Sequence, residues 1–382
     1  MTEPLGVTHA GGEYLFHIEP GILGRLPQLA AELLGERRIA VIADATVAAL
    51  YRGFADGTMP AWGPGAEIPN DWEILEFPAG EASKTREMWT VLTDALLDRG
   101  YGRDSAIVAL GGGVTGDLAG FVAATYARGI PLIHAPTTLL AMVDASVGGK
   151  VGVDTPHGKN LIGAFYAPRL VAAEPRTLAT LPVRELRAGL AESVKHALIA
   201  NEAHLGWIES HADAILSRDA GTLTELIRTS VAIKSRIVAE DEREDGRRTV
   251  LNAGHTVAHA LERASGYATP HGEAVAIGLV AEARLGEELG ITAQGTAERV
   301  AAVLGALGLP TAVPELDGAT LLEAMAYDKK SRAGRPAFAF LASPGVPHRG
   351  PAGWATEAPV EAVARVVRAV DKHGKEASTN DL

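Results

Sequence analysis

Several polar side chains recur at helical spacing in one segment of the sequence. A helix through this segment would place four of them on one face, because they are separated by four, three and four residues. They are Arg248, Asn252, His255 and His259. A third histidine, His271, follows twelve residues after His259. Histidine is a common zinc ligand, so the pattern predicts a metal site, with structural or surface histidines as the alternative.

The ligand chemistry of such a site is narrowed by composition. The chain contains no cysteine, so any metal must be held by His, Asp or Glu. The residues between His255 and His259 are Thr, Val and Ala, which excludes the HExxH motif of metalloproteases.

A carboxylate in apolar surroundings supplies a further candidate. Glu192, Lys195 and His196 lie within the predicted helix Arg184–Ala200, flanked by Gly, Ala, Leu and Ile. A buried carboxylate needs a partner, and a divalent cation would serve. The alternative is a surface ion pair between Glu192 and Lys195.

Two glycine-rich segments could bind phosphate. Gly111–Gly116 follows an apolar run and precedes a helical one, which is typical of an anion site at a helix N-terminus. A dinucleotide-binding motif also has an acidic residue after the next strand, and this sequence has none there. Asp44, which follows an earlier strand, is the available acidic residue. The alternative is that the glycines form a simple tight turn. The second segment, Asp144–Lys150, lacks the P-loop pattern. With Lys159 and Asn160 it could still recognise phosphate, or it could be a solvated loop.

The candidate residues lie in two parts of the chain that have different predicted secondary structure. Before about residue 175, apolar runs alternate with helical patterns such as Ser83–Arg99, which indicates a doubly wound parallel sheet. The predicted strands are Arg38–Ala43, Trp72–Phe77, Ser105–Leu110 and Ile130–Ala135. The later signals are helical apart from a short strand at Ala337–Leu341. The later predicted helices are Arg184–Ala200, Gly221–Glu240, Thr249–Ala264, Gly272–Leu289, Thr296–Leu307 and Val360–Val370.

The predicted fold is therefore α/β plus α. A Rossmann-like doubly wound domain spans residues 1–174 and an all-helical metal- and substrate-binding domain spans 175–382, with the active site expected in the cleft between them. Ala55–Asn70 is predicted to be a surface loop, and the polar tail 372–382 is predicted to be disordered.

Composition also excludes several functional classes. In 382 residues, 47% are hydrophobic and 21% are charged, as in a protein with a packed core. The net charge of −12 argues against a general nucleic-acid binder. The sequence has no recognisable signal peptide and no uncharged apolar run of about 18 residues, so we expect a soluble cytoplasmic protein that does not bind membranes.

Six segments resemble the motifs of the 3-dehydroquinate synthase family, in order and with compatible spacing. They are Gly111–Arg128 (GGGVTGDLAGFVAATYAR), Pro136–Lys150 (PTTLLAMVDASVGGK), Gly158–Phe165 (GKNLIGAF), Leu186–His196 (LRAGLAESVKH), Leu251–His259 (LNAGHTVAH) and His271–Ile277 (HGEAVAI). The resemblance implies an NAD-dependent lyase of the shikimate pathway that contains zinc, with cobalt as an alternative. Such an enzyme converts 3-deoxy-D-arabino-heptulosonate 7-phosphate to 3-dehydroquinate and phosphate, as part of chorismate and aromatic amino acid biosynthesis.

The resemblance also assigns roles to residues. The metal ligands it implies are Glu192, His255 and His271. The resemblance assigns His259 to substrate binding and not to the metal. The implied NAD contacts are Asp44, Glu81, Lys84, Gly112, Gly113, Val114, Asp117, Thr137, Thr138, Lys159, Thr180, Leu181 and Glu185. The implied catalytic and substrate contacts are Arg128, Asp144, Lys150, Asn160, Lys195, Lys234, Glu244, Arg248, Asn252, His259 and Lys330. Lys330 is chosen over its neighbour Lys329.

The implied assembly is a homodimer, because the resemblance places Arg128 in the site of the neighbouring subunit. Two other functions remain open. One is a sugar-phosphate cyclase of the valiolone or deoxy-inosose type, whose substrate lacks a carboxylate. The other is a metal-dependent polyol dehydrogenase, which would release NADH.

Overall fold

The computed structural model describes residues 3–52, 69, 71–312, 318–326 and 336–366, which form two units. The first unit comprises Met1–Leu186 and Arg218–Ala239, and the second comprises Arg187–Ser217 and Glu240–Leu382. The predicted division after residue 174 differs from this one. The difference arises largely because the helical segment Arg218–Ala239 belongs to the first unit. The helical periodicity of this segment does not indicate which unit it packs with.

The first unit is built on a sheet. Its strands are β1 (Leu5–His9), β2 (Gly12–Ile18), β3 (Arg38–Asp44), β4 (Glu73–Phe77), β5 (Ser105–Gly111), β6 (Leu132–Pro136), β7 (Lys150–Thr155), β8 (Gly158–Phe165) and β9 (Leu170–Ala173). Seven of these described strands form one sheet in the order β1-β2-β9-β6-β5-β3-β4, parallel except for the β1–β2 pair. β7 and β8 form a separate antiparallel hairpin. The four predicted strands correspond to β3, β4, β5 and β6 and are confirmed.

The helices of the described residues are as follows. They are α1 (Ile22–Leu34), α2 (Ala45–Arg52), α3 (Arg86–Asp98), α4 (Gly113–Thr125), α5 (Val183–Ala200), α6 (Glu202–Ser210), α7 (Ala212–Leu216), α8 (Ala220–Glu240), α9 (His255–Ala264), α10 (His271–Glu288), α11 (Thr296–Ala306) and α12 (Gly318–Ala326). Residues 360–366 are also helical, and the rest of the predicted helix Val360–Val370 lies outside the described residues. Among the described residues, no helix combines the length and the hydrophobicity that a membrane span requires.

Both faces of the sheet are covered, which explains why its central strands are continuously apolar. Val41 of β3 belongs to a cluster with Ile22 of α1 on one face. The next residue, Ile42, belongs to the cluster on the opposite face with Leu92 of α3 and Leu118 of α4. Successive side chains of a strand point to opposite faces, so a strand between two helical layers must be apolar at every position.

The strand order creates a switch point between β3 and β5. The connection after β3 leads to β4 on one side, whereas the connection after β5 leads to β6 on the other. Ligands of open α/β sheets bind beyond the carboxyl ends of the strands at such a point. Asp44 ends β3 and Gly111 ends β5, so both lie at this edge.

The second unit contains the helices around residue 260, and two predicted elements there are each divided in the structure. The predicted helix Thr249–Ala264 is divided into a 3-10 helix, Arg247–Asn252, and α9, which begins only at His255. The predicted strand Ala337–Leu341 is also divided, into β10 (Ala337–Phe338) and β11 (Leu341–Ser343). These pair with β13 (Thr356–Glu357) and β12 (Val346–Pro347) respectively. Most of the predicted loop Ala55–Asn70 and the whole tail 372–382 lie outside the described residues.

Candidate functional site

Three potential metal ligands meet in the second unit. Glu192 lies on α5, while His255 and His271 are the first residues of α9 and α10. One ligand atom of each residue lies within 4.8 Å of those of the other two. Glu192 Oε1 is 3.6 Å from His255 Nε2 and 3.4 Å from His271 Nε2. One carboxylate and two imidazoles form a ligand set of catalytic zinc sites, so these residues fit that ion.

The two imidazoles are oriented by partners on their far sides. His255 Nδ1 lies 3.1 Å from the carbonyl of Ala253, which only accepts, so Nδ1 carries the proton and Nε2 keeps its lone pair. Burial, and next the Lys195 ammonium, hold the pKa of His255 well below its usual value, so this ring is neutral. His271 Nδ1 lies 3.6 Å from Glu262 Oε1. Such outer partners fix the ring orientation of metal-binding histidines.

His271 differs from His255 in its charge. Burial alone lowers the pKa of His271, but hydrogen bonds with Glu192 and Glu262 outweigh it and raise the pKa to about 10. The ring is therefore cationic at neutral pH between these two carboxylates. A cation bound at Nε2 would replace that proton, because a histidine must be deprotonated there to act as a ligand.

Glu192 also forms an ion pair with Lys195, one turn along α5. Both side chains are almost completely buried, which excludes the alternative of a surface ion pair. An ammonium and a carboxylate removed together from water need each other and further partners. The pair therefore holds the Lys195 ammonium next to the candidate ligand Glu192.

The polar residues upstream of His255 are not on its helix, which corrects the predicted common face. Gly254 separates the 3-10 helix from α9 with φ of 79° and ψ of −15°. A Cβ at this position would lie 2.8 Å from the Leu279 side chain and 2.9 Å from the Leu279 backbone nitrogen. Only glycine adopts this conformation at such close approach without strain, so the chain changes direction between Asn252 and His255.

A loop at residues 241–246 and the 3-10 helix that follows it hold three of the candidate substrate residues, namely Glu244, Arg248 and Asn252. The Asp241 carboxylate accepts hydrogen bonds from the backbone of Asp245 (3.0 Å) and Arg248 (2.9 Å), as well as that of Gly246. Arg248 is buried, and its Nη1 donates to the Glu242 carbonyl. The Asp241 carboxylate therefore stabilises this loop and connects it to the start of the 3-10 helix.

A side-chain hydrogen bond joins Glu244 of the loop to Asn252 at the end of the 3-10 helix. Asn252 Nδ2 donates to Glu244 Oε1 at 2.7 Å, and Glu244 has a φ of 65°. A left-handed backbone at a residue other than glycine is uncommon and is concentrated at functional sites. The exposed ring of His259 lies edge-on to that of His255, with 5.5 Å between the centroids. The second unit thus places Asn252 against Glu244, and His259 next to a candidate metal ligand.

In the first unit, predicted cofactor residues lie at the switch point. Gly112 caps α4, which begins at Gly113 directly after β5. A Cβ on Gly112 would meet the Thr138 side chain at 3.0 Å, so the segment after β6 lies against the glycine-rich turn. Asp44 accepts hydrogen bonds from the backbone of Thr46 (2.9 Å) and Val47 (3.1 Å) at the start of α2. Its structural role as a helix cap is therefore clear.

A buried ammonium organises a second group of predicted cofactor residues. Lys84 Nζ lies 2.9 Å from Glu81, 3.3 Å from Asp117 and 3.7 Å from Asp154. Burial alone lowers the pKa of Lys84, but Asp117, Glu81 and Asp154 raise it to about 12. Burial raises the pKa of Asp117 to about 6, although Lys84 opposes this. Lys159 also approaches Glu81, at 3.9 Å.

Two predicted substrate residues of the first unit contact each other. Lys234 of α8 is buried, and its Nζ lies 2.7 Å from Asp144 Oδ1 and 2.6 Å from the Asp144 carbonyl. Asp144 lies in the π-helical turn Ala141–Ala145, a feature that is frequent at functional sites. This turn could not be predicted from the sequence, because its residues resemble those of an ordinary helix.

Arg128 lies in a turn whose backbone is unusual. Ala127 and Arg128 have φ values of 50° and 68°. The Tyr126 hydroxyl donates to the Tyr101 carbonyl at 2.6 Å before the turn, and the Tyr166 hydroxyl donates to the Ile130 carbonyl at 2.7 Å after it. The arginine is exposed, so the fold presents its side chain at the surface on a fixed turn.

The remaining predicted residues are distributed as follows. Lys150 begins β7, while Lys159 and Asn160 are exposed on β8 of the same hairpin. Thr180, Leu181 and Glu185 follow β9, which neighbours β6 in the sheet. Val114 lies in the first turn of α4, and Thr137 directly follows β6. Lys330 lies outside the described residues.

Comparison with known proteins identifies the family. The sequence profile described as 3-dehydroquinate synthase N-terminal matches residues 74–188, and the profile described as 3-dehydroquinate synthase C-terminal matches residues 189–331. The chain belongs to the 3-dehydroquinate synthase family. A 3-dehydroquinate synthase of Acidithiobacillus ferrooxidans is 45% identical over 362 residues, which cover 94% of this chain and 96% of the relative.

Solved structures of related cyclases share the fold. A 2-deoxy-scyllo-inosose synthase complexed with carbaglucose-6-phosphate, NAD⁺ and Co²⁺ has a TM-score of 0.86 at 27% identity, covering 96% of this chain and 99% of that one. A 2-epi-5-epi-valiolone synthase from Streptomyces hygroscopicus with NAD⁺ and Zn²⁺ bound has a TM-score of 0.79 at 28% identity, covering 94% and 97%. The predicted fold class, an α/β domain followed by a helical one, is confirmed.

Proposed function

We propose that this protein is a lyase that converts 3-deoxy-D-arabino-heptulosonate 7-phosphate to 3-dehydroquinate and phosphate, with NAD and zinc as cofactors. The observation that carries the proposal is the meeting of Glu192, His255 and His271 in a chain that belongs to the 3-dehydroquinate synthase family. Two related cyclases were solved with NAD⁺ and a divalent metal, Co²⁺ or Zn²⁺, which supports the same cofactors here.

The two cofactors supply the chemistry that side chains lack. When bound, NAD accepts and returns a hydride, while zinc acts as a Lewis acid on substrate oxygen atoms. Glu192, His255 and His271 would hold the metal through the three facing atoms described above. The protein mainly binds and orients the substrate, which is how one site can support several steps.

In the first unit we assign NAD binding to the carboxyl edge of the sheet. The glycine-rich turn allows the backbone of Gly112 and Gly113 to approach a pyrophosphate at the N-terminus of α4. Asp44 would accept from a ribose hydroxyl in addition to capping α2. Lys84 would fix Glu81 and Asp117 by the ion pairs that it forms with them. The other NAD contacts that the resemblance implies remain part of this proposal.

The substrate carries a carboxylate and a phosphate, and cationic side chains are proposed to bind each. Arg248 and Lys234 would bind the carboxylate, together with Lys330. Lys150, Lys195 and Asn160 would hold the phosphate as it leaves. Asp144, Glu244, Asn252 and His259 would bind the remaining polar groups of the substrate. Arg248 is well suited, because a guanidinium fork binds a carboxylate through two parallel hydrogen bonds.

We further propose a homodimer in which Arg128 enters the phosphate site of the partner. The support is the left-handed turn at Ala127 and Arg128, which presents the arginine away from its own core. Because the reaction needs NAD and a phosphorylated metabolite, we place it in the cytoplasm, where both are available.

The test is phosphate release from the heptulosonate phosphate in the presence of NAD, with and without a chelator. We expect release that the chelator abolishes and that added zinc restores. Absence of release with zinc and NAD present would contradict the proposal.

A substrate panel separates the proposed enzyme from other cyclases. A heptulose 7-phosphate without the carboxylate and glucose 6-phosphate should be poor substrates. The proposal is supported by sequence identity of 45% to a 3-dehydroquinate synthase, against 27–28% to the deoxy-inosose and valiolone enzymes. Preference for a substrate without the carboxylate would favour the rival cyclase.

A further inference from the structure

Glu282 of α10 is a buried carboxylate that does not belong to the proposed ligand set. Its side chain accepts three backbone hydrogen bonds from the start of α9, and the residue is 3% exposed. Glu282 Oε2 accepts from Gly254 N at 2.7 Å. Glu282 Oε1 accepts from Thr256 N at 3.0 Å and from Val257 N at 3.1 Å. The first backbone donors of α9 therefore find their acceptor on a different helix.

These hydrogen bonds surround His255. The first N–H groups of a helix have no partner within it, and here a carboxylate from α10 satisfies those on both sides of His255. The two helices are also in direct contact, because a Cβ on Gly278 of α10 would lie 1.9 Å from the Gly254 carbonyl oxygen. Since α10 begins with His271, Glu282 connects the helices that carry the two imidazoles of the proposed site.

The same carboxylate has an electrostatic consequence. A helix N-terminus carries a partial positive charge, which disfavours a cation near it. Both candidate histidine ligands are the first residues of their helices, so a metal ion there would meet two positive helix ends. The charge of Glu282 lies at one of these ends, and Glu262 lies beside His271 at the other.

We propose that Glu282 is a positioning residue that increases the affinity of the Glu192–His255–His271 site for a divalent cation. It fixes the backbone on both sides of His255 and offsets the positive end of α9. This inference rests on the proposed function, since it requires that these three residues bind the metal.

The experiment measures zinc binding by the purified, metal-free full chain in competition with a chromophoric chelator. Glu282→Gln keeps the shape of the side chain but removes its charge and turns one acceptor into a donor. We expect zinc affinity to fall about 10–100-fold, the usual effect of losing an outer partner of a metal ligand, and to fall further in Glu282→Ala. The matched control is Glu288→Gln on the same helix, where the carboxylate pairs with Arg365 at the surface. The control should bind zinc as the wild type does.

Two further readouts separate positioning from loss of folding. The visible absorption of the Co²⁺-loaded protein should change in Glu282→Gln, because the position of His255 changes, whereas NAD affinity should not change. Unaltered zinc affinity in both Glu282 variants would overturn the inference, as would an equal loss of NAD affinity. Failure of the proposed metal centre is recognised separately: wild type and His271→Ala would then bind zinc equally weakly.

Discussion

Replacing Gly254 by alanine tests how the start of α9 is positioned. Gly254 has a φ of 79°, and its new methyl group would lie 2.8–3.0 Å from three atoms of Leu279. Gly266, which follows the other end of the same helix, has a φ of 60°, and a methyl group added there would have no other atom within 4 Å. Both positions therefore have a positive φ, but only the methyl group at position 254 collides with α10.

The expected decrease in the free energy of unfolding differs between the two variants for this reason. A left-handed conformation costs alanine about 1–2 kcal/mol in either variant. Overpacking against Leu279 should cost Gly254→Ala about a further 1–3 kcal/mol, for a total of about 2–5 kcal/mol. Zinc affinity should also fall in Gly254→Ala, because His255 is the next residue, and should be unchanged in Gly266→Ala.

The assay is urea unfolding of both variants and wild type in the presence of a chelator, which removes the stabilisation that bound metal provides. Chelator competition then gives zinc affinity separately. The reasoning would be refuted if Gly254→Ala were no less stable than Gly266→Ala, since the contact between α9 and α10 would then impose no constraint.

Three further predictions concern the proposed site. His271→Ala should remove bound zinc and turnover while retaining the fold, and metal analysis with circular dichroism checks this; near-stoichiometric zinc would contradict it. Arg248→Ala should weaken transition-state binding of the heptulosonate phosphate by about 2–5 kcal/mol in kcat/KM but leave NAD affinity unchanged, and equal losses for both ligands would refute it. Arg128→Ala mixed with Lys150→Ala should recover up to about a quarter of wild-type activity by random subunit exchange, since half the molecules carry one intact site of two. No recovery after verified exchange would show that Arg128 acts within its own subunit.

The central strands were predictable because burial on both faces imposes a continuous apolar run. β3, β5 and β6 each show such a run, and their carboxyl ends carry Asp44, Gly111 and the Thr137 segment. The hairpin of β7 and β8 was not predicted. Gly152 pairs with Gly163, and a Cβ on either would lie within 2.6 Å of a backbone oxygen of the other strand. Glycine that permits close strand approach cannot be told from loop glycine by sequence pattern.

The full set of proposed metal ligands was predicted from the motif resemblance, whereas residue spacing alone predicted only part of it. His255 and His259 are indeed on one helix, but Arg248 and Asn252 precede a break at Gly254. A glycine before a histidine in a helical pattern was the available signal for that break. The role of Glu282 could not be predicted from the sequence. Its partners are backbone groups of another helix, and such contacts depend on tertiary packing.

The most direct test of the proposed function is the ratio of phosphate released to NAD supplied. With zinc, excess heptulosonate phosphate and NAD far below the substrate concentration, the proposal predicts many phosphates released per NAD and no accumulation of NADH absorbance. A metal-dependent polyol dehydrogenase would instead stop after one turnover per NAD, with one NADH formed for each. That second result, with no phosphate released, would contradict the proposed reaction.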